Sequence, residues 1–261
     1  MYLIETEENV GFLTASYVKN QINSFIPTEK KPFFVLALPT GGTSVDFYKH
    51  LVKFYQEKSL SFDKVVTFNL DEYVGLPQEH PESYHSFMAR NLFFHIKINQ
   101  EQINILDGNA KDLQEECTAY EQKIKSYGGI DLFIGGVGEN GHIAFNEPGS
   151  DFSSRTRLIN LTESTIKANS RFFDGNTALV PTQTLTMGLG TIMESKEIIV
   201  MATGIKKAEA LRRAFEDKPN TNCPITILQE HPRSFFIADK AASSNLSADT
   251  KRTCGICSFR K

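Results

Sequence analysis

Phe33-Phe34-Val35-Leu36-Ala37-Leu38-Pro39-Thr40-Gly41-Gly42-Thr43-Ser44 runs from an unbroken apolar stretch into a glycine turn. The apolar stretch reads as a strand buried on both faces. Beyond the turn, Val45 to Tyr55 places Phe47, Leu51 and Phe54 along one side, the spacing of a helix. Strand, turn and helix in that order make one βα unit. The same alternation continues on either side. Val10, Leu13, Tyr17, Val18 and Ile22 give residues 9–24 a helical stripe. Strands are expected over Lys64–Asn69, Ile130–Gly135, Glu197–Ala202 and Ser234–Ala238. Helices are expected over Ser83–Phe94, Asp112–Tyr127 (stopped by Gly128-Gly129) and Lys206–Glu216. The expected fold is therefore α/β: an open, mostly parallel sheet with helices on both faces. Strand order is not legible from this pattern.

The chain has 261 residues, an ordinary length for a single α/β domain. Residues 1–240 are expected to form that domain. The stretch from about 150 to 190 is polar and weakly periodic, and is expected to be a lid or insert. The small, polar, basic tail 241–261 is expected to be unordered unless docked. With 28 basic and 31 acidic side chains the net charge is −3, which gives no electrostatic case for nucleic acid. No stretch is apolar enough to span a bilayer, and Met1-Tyr2-Leu3-Ile4-Glu5 lacks the basic-then-apolar run of a signal peptide. Cysteines at 117, 223, 254 and 257 form no disulfide framework, so a cytoplasmic location is expected. The sequons at Asn160 and Asn245 then carry no weight. Cys254 and Cys257 have the C-x-x-C form without a second pair, a weak case for zinc or redox chemistry.

In a parallel α/β sheet, ligands gather beyond the carboxyl ends of the strands. Three strand ends carry chemistry. Pro39 to Ser44 could bring backbone N–H groups and a helix start to a phosphate, or be a turn capped by Thr43 or Ser44. It is no nucleotide P-loop, since no Gly-Lys-Ser/Thr closes it. Asp71 and Glu72 follow the strand ending at Asn69. A partly desolvated carboxylate there could act as a general base; a solvated helix cap is the alternative. Gly136, Gly138 and Gly141 match G-x-G-x-x-G, but Pro148 follows too soon for the long helix of a dinucleotide site. Those glycines instead leave His142 beside a small ligand or packed in the core, with Glu147 near enough in the chain to orient the ring. There is no H-E-x-x-H, no paired Cys/His spacing and no G-x-S-x-G.

Taken together, Leu38–Thr43, Val66–Leu76, His80–Tyr84, Gly138–Pro148 and Ala168–Phe173 resemble the glucosamine-6-phosphate deaminase (isomerase) family, in order and over nearly the whole chain. The resemblance implies a Rossmann-like fold of the sugar-phosphate isomerase type. It also implies conversion of glucosamine 6-phosphate and water to fructose 6-phosphate and ammonia, without metal or organic cofactor. By the same resemblance, Asp71 is the base that moves a proton between C2 and C1. His142 assists ring opening, Glu147 is its carboxylate partner, and Asn140 stands where some members carry aspartate. Thr40, Gly41, Gly42, Thr43, Arg171 and Lys207 hold the phosphate. An activator site known in some members keeps Ser150 and Arg157, but Ile159 replaces its lysine and the tail offers no tyrosine. Little or no activation by N-acetylglucosamine 6-phosphate is expected. The family includes monomers and hexamers, so a homo-oligomer remains open. The alternatives are a 6-phosphogluconolactonase-like hydrolase and a non-catalytic sugar-phosphate sensor. The first would not require both the Asn69–Tyr73 and Gly141–Pro148 strings; the second should lack the acid–base set or carry a DNA-binding helix pair.

Overall fold

The computed structural model describes residues 1–7 and 9–255. In chain order its elements are β1 (Tyr2–Thr6), α1 (Val10–Ser24), β2 (Phe34–Leu38), α2 (Gly42–Gln56), β3 (Val65–Asn69), β4 (Asp71–Tyr73) and α3 (Tyr84–Asn91). Next come β5 (Ile103–Asn104), α4 (Leu113–Ser126), β6 (Leu132–Gly136), β7 (Arg157–Asn160), α5 (Glu163–Asn169) and β8 (Gln183–Thr186). The chain continues through α6 (Leu189–Met193), β9 (Ile198–Ala202), α7 (Ala208–Glu216), β10 (Ser234–Asp239) and α8 (Ala248–Cys254).

A seven-stranded sheet in the order β1-β10-β9-β6-β2-β3-β5 forms the centre, and its neighbouring strands all pair in parallel. Every residue of β2, β3 and β9 is buried, because helices cover both faces. Alternation sorts the side chains. Phe34, Leu36 and Leu38 pack with Phe47, Leu51 and Met88 of α2 and α3 on one face. Val35, Ala37, Val66 and Phe68 pack with Tyr120 and Ile124 of α4, Leu189 and Ile192 of α6, and Leu211 of α7 on the other. The open parallel sheet with helices on both faces is therefore the observed architecture.

A second sheet, three-stranded and antiparallel in the order β4-β8-β7, stands beyond the carboxyl end of β3. Only Leu70 separates β3 from β4, so the chain leaves one sheet and enters the other within a residue. Within the expected lid segment, the structure shows β7, α5, β8 and α6 joined by short 3₁₀ turns. The tail docks: Lys251 of α8 pairs with Glu5 at 2.5 Å, and Gly255 bridges to Leu3. Cys257 lies outside the described residues. Cys254 is a free thiol, and no metal-binding group of three or more His, Cys, Asp or Glu occurs among the described residues.

Candidate active site

The carboxyl ends of β2, β3, β6 and β9 open into one cleft of about 1150 Å³. Thr40, Gly41, Gly42, Thr43, Asp71, Asn140, His142, Arg171 and Lys207 all line it; Glu147 stands behind Asn140.

On the β2 side, Gly41 has φ of +99°, a conformation that only glycine adopts without strain, and it turns the chain directly into α2. No side chain caps that helix start, so its first N–H groups are left for an anion. Ser44 is committed elsewhere, its hydroxyl donating to the Gly41 carbonyl at 2.8 Å. Across the cleft stand Arg171, stacked 4.6 Å from the centroid of Phe172, and Lys207. Burial pushes the Lys207 ammonium down; Glu139 opposes this, and Arg171 and Lys206 lower it further. Two cations thus converge on one cavity wall, an arrangement that an anion would relieve.

Asp71 opens β4 and is 6% exposed. Burial, followed by the charge of Glu72, pushes its carboxyl up to about 8. Glu72 faces the other way. Its carboxylate accepts from the N–H groups of Tyr73 (2.8 Å), Tyr84 (3.0 Å) and His85 (3.0 Å) and meets His85 Nδ1 at 2.8 Å. It therefore pins the start of α3 to β4. The pair of carboxylates divides by partner: Glu72 is held as an anion, and Asp71 is left in an apolar setting as a strong proton acceptor.

The loop after β6 carries the third group. A Cβ added at Gly138 would lie 2.2 Å from His142 Cε1, so the imidazole is seated directly on the glycine backbone. His142 Nδ1 lies 2.7 Å from Asn140 Oδ1, and Asn140 Nδ2 donates to Glu147 Oε2 at 2.7 Å. A carboxylate only accepts, so the amide must turn Nδ2 to Glu147 and Oδ1 to the ring. That orientation places the imidazole hydrogen on Nδ1 and leaves Nε2 as an acceptor. Sequence spacing suggested that Glu147 itself folds onto the ring; at 3.6 Å from Nδ1 it is not a hydrogen-bond partner, and Asn140 stands between them. Burial disfavours the Glu147 carboxylate, but His142, Thr165 and Asn140 outweigh it and hold the group down at about 2.

Several side chains of the site carried no sequence signal. Thr165 and Asn169 come from the aperiodic segment. Tyr73 and Tyr84 pack with ring centroids 4.9 Å apart between Asp71 and the glycine turn, and the Tyr84 phenol reaches Thr40. The string His80–Tyr84 marked Tyr84 only through resemblance.

The sequence matches the family model described as glucosamine-6-phosphate isomerases/6-phosphogluconolactonase over residues 5–236. A glucosamine-6-phosphate deaminase of Aeromonas hydrophila is 52% identical over 249 residues, covering 95% of this chain and 93% of the relative. One from Borrelia garinii is 51% identical over 245 residues, covering 94% and 91%. The solved structure of a monomeric glucosamine-6-phosphate deaminase superimposes with a TM-score of 0.88 at 38% identity, covering 94% of this chain and all of that one. A 6-phosphogluconolactonase from Thermotoga maritima superimposes with a TM-score of 0.70 at 19% identity over 92% of this chain and 98% of that one, a likeness of fold alone. With the family model spanning most of its length and relatives this similar over nearly all of it, the chain belongs to the glucosamine-6-phosphate isomerase/6-phosphogluconolactonase family.

Proposed function

We propose that this protein is a glucosamine-6-phosphate deaminase, converting glucosamine 6-phosphate and water to fructose 6-phosphate and ammonia. The observation that carries this reading is the meeting of Asp71, His142 and the Gly41 turn in one cleft. The sugar's terminal phosphate sits at Thr40–Thr43 and is closed over by Arg171, as a fork, and Lys207, as a point charge. His142, with Nε2 free to accept, takes the proton of the C1 hydroxyl and returns it to the ring oxygen, which opens the ring. The aldehyde then makes the C2 hydrogen acidic. Asp71 removes that proton and delivers it to C1, leaving an imine at C2 that water hydrolyses with release of ammonia. The substrate carbonyl is the electron sink, so the sequence of steps balances with no oxidant or reductant.

A base poised near 8 binds the transferred proton firmly enough to hold it between the two carbons. Asn140 and Glu147 keep the imidazole in its accepting tautomer. The lactonase alternative has support only from structures that share the fold. Free thiols at Cys117, Cys223 and Cys254 support a reducing, cytoplasmic setting. No helix among the described residues is long and apolar enough to cross a membrane.

Ammonia release from glucosamine 6-phosphate tests the proposal, with Asp71→Asn as control. The wild type is expected to release ammonia and form a ketose phosphate in equal amounts. A wild type that releases none, or an Asp71→Asn variant that matches it, would overturn the assignment.

A further inference from the structure

One short helix, α5, touches both halves of the acid–base machinery and leads into the anion side of the cleft. Thr165 and Asn169 are four residues apart, which stacks them on one face of α5. Thr165 is buried, and its hydroxyl donates to Glu147 Oε1. The neighbouring hydroxyl fixes this direction. Thr162 Oγ1 accepts the Thr165 N–H at 3.3 Å and donates to Thr165 Oγ1 at 3.1 Å, so the hydrogen of Thr165 is left for the carboxylate. On the next turn, Asn169 Nδ2 donates to the Tyr73 hydroxyl at 2.9 Å. Tyr73 is two residues from Asp71, and its phenol shares a hydrogen bond with that of Tyr84. Arg171 follows Asn169 by two residues.

We propose that α5 is a strut through which capture of the substrate's terminal anion at Arg171 sets the proton inventory of the imidazole. In this scheme Thr165 is a positioning residue for Glu147 and Asn169 is one for Tyr73. The proposal deepens the deaminase reading and rests on it for the identity of the substrate. The Glu147 carboxylate is held at both oxygens: Oε1 by Thr165 and Oε2 by Asn140. Releasing Oε1 frees the carboxylate to rotate away from the amide. Asn140 then loses the partner that keeps its Nδ2 turned outward, and a flipped amide presents a donor to His142 Nδ1. The imidazole hydrogen must move to Nε2, and the ring can no longer accept the C1 hydroxyl proton. The phosphate is remote from the atoms that react, so binding energy spent in ordering α5 appears as turnover rather than as affinity.

The test compares wild type, Thr165→Val, which keeps the shape but not the donor, and Thr165→Ser, which restores it. The first readout is the ¹⁵N spectrum of His142 with the ring neutral, with and without inorganic phosphite. Wild type and Thr165→Ser are expected to show hydrogen on Nδ1, and Thr165→Val a mixture or hydrogen on Nε2. The second readout is ammonia release from glucosamine, which lacks the phosphate, with phosphite supplied separately. Phosphite is expected to raise turnover about tenfold or more in wild type and Thr165→Ser, and less than about twofold in Thr165→Val. With glucosamine 6-phosphate, Thr165→Val should lose about 10- to 100-fold in kcat with KM within about threefold. A Thr165→Val variant with the wild-type tautomer and the wild-type phosphite gain overturns the strut, as does a wild type that phosphite does not stimulate while it deaminates glucosamine 6-phosphate. Failure of the wild type on glucosamine 6-phosphate instead sinks the reaction assignment, and the tautomer readout still reports on the strut without turnover.

Discussion

Replacing Asp71 by Asn should cost the protein its activity and give it stability, and the gain should depend on pH in a calculable way. The carboxyl sits 6% exposed and is pushed up to about 8, first by burial and then by the charge of Glu72. In the unfolded chain the same group titrates near 4. Between those values the folded protein retains a proton that the unfolded chain has released. Unfolding therefore becomes easier as pH rises, by about 1.4 kcal/mol per unit. The native state is least penalised below about pH 4, and the penalty is complete above about pH 8, where it amounts to about 5 kcal/mol. Asparagine has the same shape and no titration. Its stability advantage over the wild type is expected to be about 1–2 kcal/mol at pH 5 and about 5 kcal/mol at pH 8. Urea unfolding of both proteins at the two pH values measures this directly, provided the slope m is unchanged. A difference that is the same at both pH values, or a variant less stable than wild type at pH 8, would refute the placement of Asp71 as a buried, proton-hungry carboxyl.

Asn140→Asp would set two carboxylate oxygens about 2.7 Å apart where an amide now donates to Glu147. Their repulsion, about 6 kcal/mol at an effective dielectric of about 20, forces them to share a proton at neutral pH, so the pH–rate profile should gain an ionisation. Superimposable profiles of the two proteins would contradict this. Glu72→Gln puts NH₂ among the N–H groups that the carboxylate now accepts, at a cost of about 1–3 kcal/mol in urea unfolding. It also removes the like charge beside Asp71, so the acid limb of kcat/KM should move to lower pH; an unmoved limb argues that Glu72 does not act on the base. N-acetylglucosamine 6-phosphate should leave the rate curve unchanged. Arg157 is already bonded to Asn146 at 2.9 Å and to Ser150 at 3.3 Å, and Ile159 adds no cation. A sigmoidal curve made hyperbolic by that ligand would be the contrary result.

The central sheet was legible because burial on both faces writes itself as unbroken apolar runs, as in Phe34–Leu38 and Ile198–Ala202. Strands whose hydrophobicity depends on a distant partner left no such trace. β1 is short and ends in Glu5-Thr6, and β8 reads Gln183-Thr184-Leu185-Thr186; each becomes a strand only when its neighbour arrives. β4 merged with β3 in the sequence because a single residue parts them. At the site, the strand-end loops were visible as glycines beside titratable groups. The relay through Asn140 was not, since spacing gives proximity in the chain but not which side chain stands between two others. Thr165 lies eighteen positions beyond Glu147 in an aperiodic stretch, and only the folded chain brings its hydroxyl to the carboxylate.

Leu70 is the only residue between the parallel and the antiparallel sheet, and its carbonyl accepts the Met187 N–H at 2.8 Å. Asp71 is consequently stationed at the fulcrum between two rigid plates. Any tilt of the smaller plate sweeps its far rim, β7 and the connected α5, through the longest arc and leaves the base almost stationary. Architecture of this kind lets the covering flap accumulate insertions, lose contacts or change its resting angle in the course of evolution while the carbon-acid chemistry beneath it keeps its aim.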